Sequence, residues 1–427
     1  MNRQPLLSRL SGALAAAIAT AAAVSTSHAD SWTSWRGPNR DGHSAEKGLT
    51  QRWETAPPTV LRVDDLGAGY GSISVVGNRF YAIGNDGLDN EYVQARDTAT
   101  GKLVWKVRLG KVGNPDQQPS YPASRSTPVV EGKLLWALGS DGDLLCLDTA
   151  TGTQKWRKSL RTDFGGVPGT WAFSETPLID GDRLIATPGG NDNSVVALNK
   201  RTGETLWRCA VPGAGGAAYS SPIAATLAGT KQIVQYVRSA LVGIDSAKGT
   251  LLWKFERTAD PRTGSNIGTP LVHNNGVYGA ASLVGAGLAT VAKTGDTFAA
   301  TSAYFDRTLP SAIGGIVRIG EHAYGANGGT FVCFDWATGT VKWAERGVGA
   351  GAMIVADNRI FLRKETGEVA LIEPSPEGYR ERGKFLPEGH PQRGRGESWA
   401  YPALADGRLY IRDGAKLWVY DVRTAKR

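Results

Sequence analysis

The amino-acid sequence predicts an all-β fold, and three features of its composition and patterning support this. Glycine accounts for 55 of the 427 residues, nearly twice its usual share of about 7%. A further 21 prolines interrupt the chain, and the stretches between these breakers are short and rich in Val, Ile, Thr and Trp. With 41% hydrophobic and 21% charged residues, the composition is that of a globular protein, so we expect many short strands rather than a helical bundle.

A nine-residue tag that ends in tryptophan recurs along the chain. Residues 97–105 and 148–156 share the pattern Asp-Thr-Ala-Thr-Gly-x-x-x-Trp. Looser copies occupy residues 199–207, 245–253 and 335–343. Successive tryptophans are separated by 51, 51, 46 and 90 residues. The last interval contains a degraded copy at residues 293–298, so it represents two repeats.

Each repeat predicts a four-stranded antiparallel meander. Residues 126–148 have the pattern of three strands separated by tight turns, and the tag then supplies a third turn and a fourth strand that carries the tryptophan. A unit of this size cannot bury both faces of its sheet alone, so neighbouring units must stack. Radial stacking of meanders produces a β-propeller.

Counting the first strands predicts eight blades. These strands are expected to begin near Ser72, Ser126, Glu175, Ser220, Gly268, Ala312, Ala350 and Tyr401. The final repeat stops soon after Asp421, before a fourth strand is complete, whereas residues 58–64 form a strand with no meander of their own. We therefore expect this N-terminal strand to complete the eighth blade and close the ring.

The N-terminal 29 residues have the pattern of a cleavable signal peptide. Arg3 and Arg9 precede an apolar stretch at residues 10–24, and small residues near Ala29 provide a cleavage site. The alternative, an N-terminal anchor, would be short for a membrane span. The expected domains are a signal peptide at 1–29, a cap segment at 30–57 and one propeller at 58–427. This predicts a periplasmic or secreted protein with no integral membrane segment after cleavage.

The charge of the mature chain argues against nucleic-acid binding. The net charge of +8 falls to +6 on removal of residues 1–29, because two arginines and no acidic residue are lost. This mild excess forms no basic stripe. We expect a monomer whose partner is a protein, a carbohydrate or another small ligand.

The tags resemble those of the secreted pyrroloquinoline-quinone (PQQ) repeat propellers. So does the segment at residues 32–42, which reads Trp-Thr-Ser-Trp-Arg-Gly-Pro-Asn-Arg-Asp-Gly. The resemblance covers roughly residues 60–427 and implies that the tag tryptophans pack between neighbouring blades. This gives a structural docking role to Trp105, Trp156, Trp207, Trp253 and Trp343. The family includes eight-bladed quinoprotein alcohol dehydrogenases and an outer-membrane assembly lipoprotein that is a scaffold without quinone. The repeat alone therefore does not imply redox chemistry.

The residues needed for metal or redox chemistry are not evident in the sequence. The quinoprotein dehydrogenases place two adjacent cysteines against the quinone, but no two of the three cysteines here are adjacent. Cys146 and Cys333 share one repeat position, where other blades carry Ala or Gly, and Cys209 lies in a fourth strand, so we expect packing roles. The mature chain's four histidines are far apart, so we expect no metal site.

The candidate binding site is one mouth of the central channel. Residues just before the first strands should ring this mouth, and in the PQQ family that face holds the ligand. Candidate cofactor-binding residues are Arg125, Trp171, Glu175, Tyr219, Asn266 and Trp399, with Tyr70 and Tyr401 beside them. Aromatic faces together with Arg, Glu and Asn suit a sugar ring, an anionic group or a planar cofactor. The alternative is that these side chains only fill the channel.

Two functions follow from this sequence. The first is a non-catalytic scaffold that binds a ligand or a protein. The second is a divergent PQQ-dependent alcohol or sugar dehydrogenase, in which Glu175 and Asn266 would be Ca²⁺ ligands and Arg125 would clamp a carboxylate of the quinone. These three assignments depend only on position in the ring, and the catalytic residues are unknown.

Overall fold

The computed structural model describes Met1 and residues 31–117, 121–391 and 397–424. Apart from Met1, the signal peptide expected at residues 1–29 lies outside the described residues. Within the described ranges all regular secondary structure is β-strand. None of these residues belongs to a helix with the length and apolarity needed to cross a bilayer.

The strands form eight four-stranded antiparallel sheets, as the sequence predicts. Strand β1 (Thr59–Val63) precedes the first blade. Blade 1 contains β2 (Ser74–Val76), β3 (Arg79–Asn85), β4 (Glu91–Asp97) and β5 (Leu103–Gly110). Blade 2 contains β6 (Val129–Glu131), β7 (Leu134–Leu138), β8 (Asp143–Asp148) and β9 (Gln154–Ser159). Blade 3 contains β10 (Leu178–Asp180), β11 (Arg183–Ala186), β12 (Val195–Asn199) and β13 (Thr205–Cys209).

The remaining blades repeat this order. Blade 4 contains β14 (Ile223–Leu227), β15 (Thr230–Val237), β16 (Ala240–Asp245) and β17 (Leu251–Phe255). Blade 5 contains β18 (Leu271–His273), β19 (Gly276–Ala281), β20 (Gly285–Thr294) and β21 (Thr297–Asp306). Blade 6 contains β22 (Ile316–Ile319), β23 (His322–Asn327), β24 (Thr330–Asp335) and β25 (Val341–Arg346). Blade 7 contains β26 (Gly351–Ala356), β27 (Arg359–Lys364), β28 (Val369–Ile372) and β29 (Glu381–Phe385).

Blade 8 closes the ring and confirms the predicted role of the N-terminal strand. It contains β30 (Ala403–Ala405), β31 (Arg408–Asp413) and β32 (Lys416–Asp421). Strand β1 pairs antiparallel with β32, with Thr59 opposite Tyr420 and Val63 opposite Leu417. Because β2 contacts both β6 and β30, the first strands of neighbouring blades line the central channel. The fold is therefore an eight-bladed β-propeller.

The first three tag tryptophans make the same contact with the following blade. The indole Nε1 of Trp105 donates a 2.9 Å hydrogen bond to the carbonyl of Thr149, and its ring lies on the tag glycine Gly152, where a Cβ would come within 2.9 Å. Positive φ (+73°) and this close contact both require glycine. The equivalent bonds from Trp156 and Trp207 reach backbone carbonyls of blades 3 and 4 at 3.0 Å each.

Two junctions depart from this pattern. The indole of Trp253 donates to Oε1 of Gln232 in its own blade, at 2.7 Å, while its ring belongs to the same buried cluster as Val277 and Val291 of blade 5. Gly243 explains the difference, because a Cβ there would lie 2.1 Å from the indole. At the next junction Tyr304 takes the place of a tag tryptophan. Its hydroxyl donates to the Trp336 carbonyl at 2.9 Å, and its ring covers the tag glycine Gly339.

Two of the three cysteines occupy the position beneath a tag tryptophan. Cys146 lies directly opposite Trp156 in the strand pairing, and Cys333 lies opposite Trp343. A small side chain is needed there because the indole covers it. All three cysteines are buried and unpaired, and burial raises the pKa of Cys146 to about 12, so this thiol is not a ready nucleophile.

The segment before β1 crosses the channel and contacts blades on several sides. The backbone of Trp32 makes two 2.8 Å hydrogen bonds with Val75 of blade 1. The Arg40 guanidinium donates to the carbonyls of Thr176 and Pro177 before blade 3, at 2.6 and 2.9 Å. The Arg36 guanidinium donates to a blade 6 carbonyl at 2.5 Å. We call residues 31–46 the plug segment.

Candidate ligand cavity at the channel mouth

A cavity of about 380 Å³ opens at the channel mouth above the plug segment. Its wall comes from the residues that lead into the first strands of blades 1 to 6 and 8, together with the loop after β19. The inner strands converge on the channel, so their entry residues meet although they are far apart in sequence. The cavity has the size and concave shape of a small-ligand site.

Three aromatic rings form one side of the cavity. The ring centroids of Tyr70 and Trp399 are 5.0 Å apart, and those of Tyr121 and Trp399 are 5.2 Å apart. The planes are inclined by 46° and 73°, within the geometries that aromatic pairs prefer. These rings offer a largely apolar surface to a bound molecule.

A second aromatic pair faces the cavity from blades 3 and 4. The centroids of Trp171 and Tyr219 are 5.8 Å apart, and the backbone N–H of Trp171 donates to the Tyr219 hydroxyl at 3.1 Å. Gly169 allows this arrangement, because a Cβ there would come within 2.6 Å of the Tyr219 ring. Burial raises the pKa of Tyr219, so its hydroxyl stays protonated near neutral pH.

The plug segment supplies the floor of the cavity. Trp35 lies 4.1 Å from Tyr401, measured between ring centroids. Its indole Nε1 donates to Oγ1 of Thr269 at 2.9 Å, and the Tyr401 hydroxyl donates to the carbonyl of Ile313 at 3.3 Å. These bonds fix the floor to blades 5 and 6.

Arg125 is the one charged side chain on the cavity wall among the described residues. Its guanidinium donates to the carbonyl of Tyr121, and its Cζ lies 5.3 Å from the centre of the Tyr70 ring, a cation–π distance. Within the described residues no carboxylate lies at ion-pair distance from it. Burial lowers its pKa, and the charge of Glu91 among others opposes this. The cavity therefore holds a positive charge that is not neutralised by direct contact.

Glu175 lies behind the cavity wall rather than on it. Its Oε1 accepts a 2.6 Å hydrogen bond from the backbone N–H of Thr187, and its Oε2 accepts a 2.9 Å bond from the Gln235 side chain. Burial raises its pKa to about 7, with these hydrogen bonds and the charge of Arg40 opposing the shift. Both carboxylate oxygens are thus engaged, Oε1 within blade 3 and Oε2 in a bond that joins blade 3 to blade 4.

Asn266 is also buried behind the wall. Its Oδ1 accepts from the backbone N–H of Asp260 at 2.8 Å, and its Nδ2 donates to the carbonyls of Val237 and Arg238 at 3.1 and 2.9 Å. The neighbouring residues Ser265 and Ile267 line the cavity instead. The backbone turns tightly here, because the Asn266 N–H donates to the Gly264 carbonyl at 2.7 Å, and the Asn266 side chain faces away from the cavity.

The residues at this mouth do not fit a Ca²⁺–quinone centre. Calcium takes six to eight oxygen ligands, but the oxygens of Glu175 and Asn266 already accept internal hydrogen bonds. Among the described residues no group of three or more His, Cys, Asp or Glu side chains is close enough to hold a metal ion. Arg125 could contact a ligand's carboxylate, but it is the only one of the three proposed cofactor contacts that faces the cavity.

A serine, a histidine and an aspartate meet near Trp399 without forming a catalytic triad. Asp413 Oδ2 accepts from Ser398 Oγ at 2.5 Å and lies 2.8 Å from His390 Nε2. The same ring nitrogen also faces Ser398, at 3.2 Å. A triad needs the serine and the carboxylate on different ring nitrogens, and here Arg363 also pairs with the aspartate at 2.9 Å.

Of the six candidate cofactor-binding residues, the structure brings four to the cavity wall: Arg125, Trp171, Tyr219 and Trp399. Sequence reasoning missed Trp35 and Tyr121. Trp35 belongs to the N-terminal motif at residues 32–42. Because this motif lies outside the repeats, the repeat pattern does not indicate that Trp35 enters the channel. Tyr121 lies four residues before Arg125, in the same approach to blade 2.

The comparisons with known proteins agree with the repeat pattern. A family model described as "Outer membrane protein assembly factor BamB" matches residues 89–345, more than half of the chain. The chain belongs to this family. Membership confirms the resemblance to PQQ-repeat propellers that the tags predict.

The sequence relatives of this BamB-family chain match only part of it. The Salmonella typhimurium factor BamB is 28% identical over 123 residues, which are 28% of each chain. The Burkholderia pseudomallei factor is 27% identical over 224 residues, or 44% of this chain and 55% of that relative. The match thus spans less than two thirds of the length of either relative.

Solved structures with similar folds include a BamB and an alcohol dehydrogenase. BamB from Moraxella catarrhalis has a TM-score of 0.61 at 16% identity, covering 86% of this chain and 99% of that one. Quinohemoprotein alcohol dehydrogenase from Comamonas testosteroni has a TM-score of 0.51 at 12% identity, covering 94% and 82%. At these identities the likeness concerns the fold, so function must be argued from the cavity.

Proposed function

We propose that the protein is a non-catalytic binding scaffold of the cell envelope that recognises its partner with the channel-mouth face. One observation carries the proposal. The cavity presents seven aromatic rings and one guanidinium, whereas Glu175 and Asn266, the groups best suited to chemistry or metal binding, are engaged inside the protein. Aromatic surfaces with a single cation suit recognition, while catalysis needs a base, a nucleophile or a metal that faces the substrate.

Family membership supports the envelope as the place of action. The relatives are named outer membrane protein assembly factors, and the sequence pattern at residues 1–29 favours export to the periplasm. An assembly role for this chain would use the propeller as a rigid platform. Its rings and its plug segment fix the channel-mouth face, so little binding energy would be lost in ordering it.

Site-specific photo-cross-linking tests the proposal. Leu283 is 63% exposed and lies on the cavity rim. Leu206 is 49% exposed and lies on the outer strand of blade 3, which makes it a matched control. A photoreactive residue at Leu283 should give a discrete adduct in the cell envelope that one at Leu206 does not give, and Trp399→Ala should abolish it. Equal adducts from both positions, or none, would contradict the proposal.

A redox assay tests the competing dehydrogenase function. Purified protein is titrated with PQQ in the presence and absence of Ca²⁺, and dye-linked oxidation is then measured on a panel of alcohols and sugars. We expect neither Ca²⁺-dependent binding nor turnover. Saturable binding with turnover would overturn the scaffold proposal and identify a quinoprotein whose metal ligands rearrange from the hydrogen bonds described above.

A further inference from the structure

A second cleft continues from the aromatic cavity across the same face. Its volume is about 650 Å³, and it shares Ser282 and Ile313 with the cavity. Four glycines in the loops of blade 6 and before blade 7 form much of its wall: Gly328, Gly329, Gly347 and Gly349. Without side chains at these positions the backbone is accessible, and the cleft stays open.

One side of this cleft is polar. Asn327, Lys364, Glu365 and Glu368 line it, and Lys364 forms an ion pair with Glu368. Glu365 lies beside the chain that carries Trp399, because the backbone N–H of Ser398 donates to the Glu365 carbonyl at 3.0 Å. Trp399 therefore belongs to the aromatic cavity on one side and borders the polar cleft on the other, which makes the two spaces one continuous surface.

We propose that the cavity and the cleft together form a binding site for an acidic oligosaccharide. This inference rests on the proposed function and names the chemistry that the channel-mouth face recognises. One pyranose ring stacks in the aromatic cavity, its anionic group pairs with Arg125, and the chain continues past Ser282 and Ile313 into the glycine-walled cleft.

The two parts of the site match the two kinds of surface on a sugar chain. A pyranose ring has an apolar C–H face that fits aromatic rings such as Tyr70 and Trp399. Its hydroxyl groups need hydrogen-bonding partners when they leave water, and the amide of Asn327 and the carboxylate of Glu365 provide them. An apolar peptide would instead require hydrophobic pockets beyond the cavity, which the polar side of the cleft does not offer.

Arg125 indicates that the sugar carries negative charge. Its guanidinium faces a cavity without a neighbouring carboxylate among the described residues, and its planar N–H groups suit carboxylate, sulfate or phosphate. Its stacking on Tyr70 and its bond to the Tyr121 carbonyl fix its orientation. A bound anion would therefore meet a preorganised donor rather than a flexible one.

Calorimetric titration with defined oligosaccharides tests the class of ligand. The probes are a six-residue oligouronate, a sulfated oligosaccharide of equal length and neutral maltohexaose. We expect at least one acidic probe to bind at least tenfold more tightly than the neutral one, and the comparison of uronate with sulfate identifies the anionic group. Equal affinity for all three, or no binding to any, would overturn the inference.

Arg125→Gln tests the anion contact. This variant should bind the acidic probe at least tenfold more weakly and should no longer distinguish it from the neutral probe. Arg201→Gln, at an exposed turn residue of blade 3, makes the same change in net charge away from the cavity and should leave binding unchanged. Thermal unfolding of both variants verifies the fold. An equal loss in both variants would show that only long-range charge attraction is involved and would overturn the specific contact.

Substitution of a cleft glycine tests the extended site. A Cβ at Gly329 would meet no atom within 4 Å, and its φ does not require glycine, so Gly329→Trp should fill the cleft without straining the backbone. Gly378 has the same properties outside the cleft and serves as the control. Gly329→Trp should weaken the hexamer at least tenfold and leave a single uronic acid unaffected, whereas Gly378→Trp should change neither. Unchanged hexamer binding would restrict the site to the cavity and overturn the extended proposal.

The outcomes separate this inference from the proposed function. If Leu283 gives a specific protein adduct while no glycan binds, the scaffold function stands and the glycan inference fails. If PQQ and Ca²⁺ give turnover, both fail.

Discussion

The junctions after blades 1 to 3 and those after blades 4 and 5 solve the same packing problem differently. In the first set a tag tryptophan donates to a backbone carbonyl of the next blade and covers a glycine with positive φ, as Trp105 does with Thr149 and Gly152. In the second set, Trp253 bonds within its own blade, and Tyr304 replaces a tryptophan. The bond from an aromatic donor to the next blade is thus not tied to the tag sequence, because Tyr304 supplies it after blade 5. The junction after blade 4 forms without such a bond from its tag tryptophan.

The hairpin of blade 5 explains why the second set departs from the pattern. Strands β20 and β21 are 10 residues each, longer than the strands of blades 1 to 3. Their turn glycine, Gly295, has no atom within 4 Å of its hypothetical Cβ, so the turn lies away from Trp253. The indole therefore finds its acceptor in Gln232. The glycine-walled cleft lies next to these irregular blades, so the open surface occurs where the repeat is least regular.

The largest effect is expected at a regular junction. Trp156→Ala removes an indole buried between blades 2 and 3, together with its bond to the Lys200 carbonyl, and should lower the free energy of unfolding by about 3–5 kcal/mol. Trp343→Ala, at a half-buried ring in blade 6, should cost less. Urea unfolding followed by circular dichroism measures both. A loss below about 1 kcal/mol for Trp156→Ala would contradict the docking role.

The pH dependence of stability should differ between two carboxyl groups, that of Glu91 in blade 1 and that of Glu365 in the cleft. Burial raises the pKa of Glu91 from 4.5 to about 8. Between these values the folded state keeps a proton that the unfolded state loses, so stability is greatest below pH 4.5 and falls as the pH rises through 8. Glu91→Gln should remove a decline on the order of 4 kcal/mol, which is about 1.4 kcal/mol for each pH unit between 5 and 8.

Glu365→Gln, in the cleft, serves as the control for Glu91→Gln. The Glu365 side chain is only partly buried, so its substitution should alter the pH dependence less. Urea midpoints measured from pH 5 to pH 8.5 provide the test for both variants. An unchanged slope in Glu91→Gln would mean that this carboxyl is not the source of the decline.

A smaller effect on stability should show why the Trp253 indole bonds within its own blade. Gly243→Ala places a Cβ 2.1 Å from the indole, and such overpacking should cost about 1–3 kcal/mol. The same substitution in a Trp253→Ala background should cost almost nothing, because the clashing ring is absent. A double-mutant cycle in urea measures this coupling. Equal costs in both backgrounds would mean that the backbone, not the indole, requires glycine.

The smallest effect concerns the tyrosine that replaces a tag tryptophan. Tyr304→Phe removes only the hydroxyl that donates to Trp336, and the loss should be about 0.5–1.5 kcal/mol. Trp207→Phe, which removes the corresponding donor and part of the ring at a regular junction, should cost more. If Tyr304→Phe has no effect, Tyr304 contributes by packing alone.

The fold could be predicted from the sequence because each repeat carries its own short, recognisable motif. The tag glycines and tryptophans mark a turn and a fourth strand in each repeat, and the excess strand at residues 58–64 indicated the closure. The candidate site was harder to predict because a cavity wall depends on the side to which each residue points. Position in the ring selected both Trp399, which faces the cavity, and Asn266, which faces away.

Glu175 and Asn266 both face away from the cavity while their chain neighbours face it. Ser174 reaches the wall and Glu175 does not, and Ser265 and Ile267 reach it while Asn266 does not. Without a known reference point the sequence does not show which of these neighbours faces inward. Trp35 was missed for a different reason, since its place beneath the cavity depends on the path of the plug segment rather than on the repeats.

Because β1 pairs with β32, closure of the ring requires both of these distant strands to be present. Strand β1 is synthesised long before β32, and Val63 and Leu417 become neighbours only when the eighth blade forms. Until then the chain exposes an unpaired strand at one end and an open sheet edge at the other, both of which invite aggregation and proteolysis. A chain that ended before β32 would leave both edges exposed, whereas the pairing of β1 with β32 covers both edges in a closed ring.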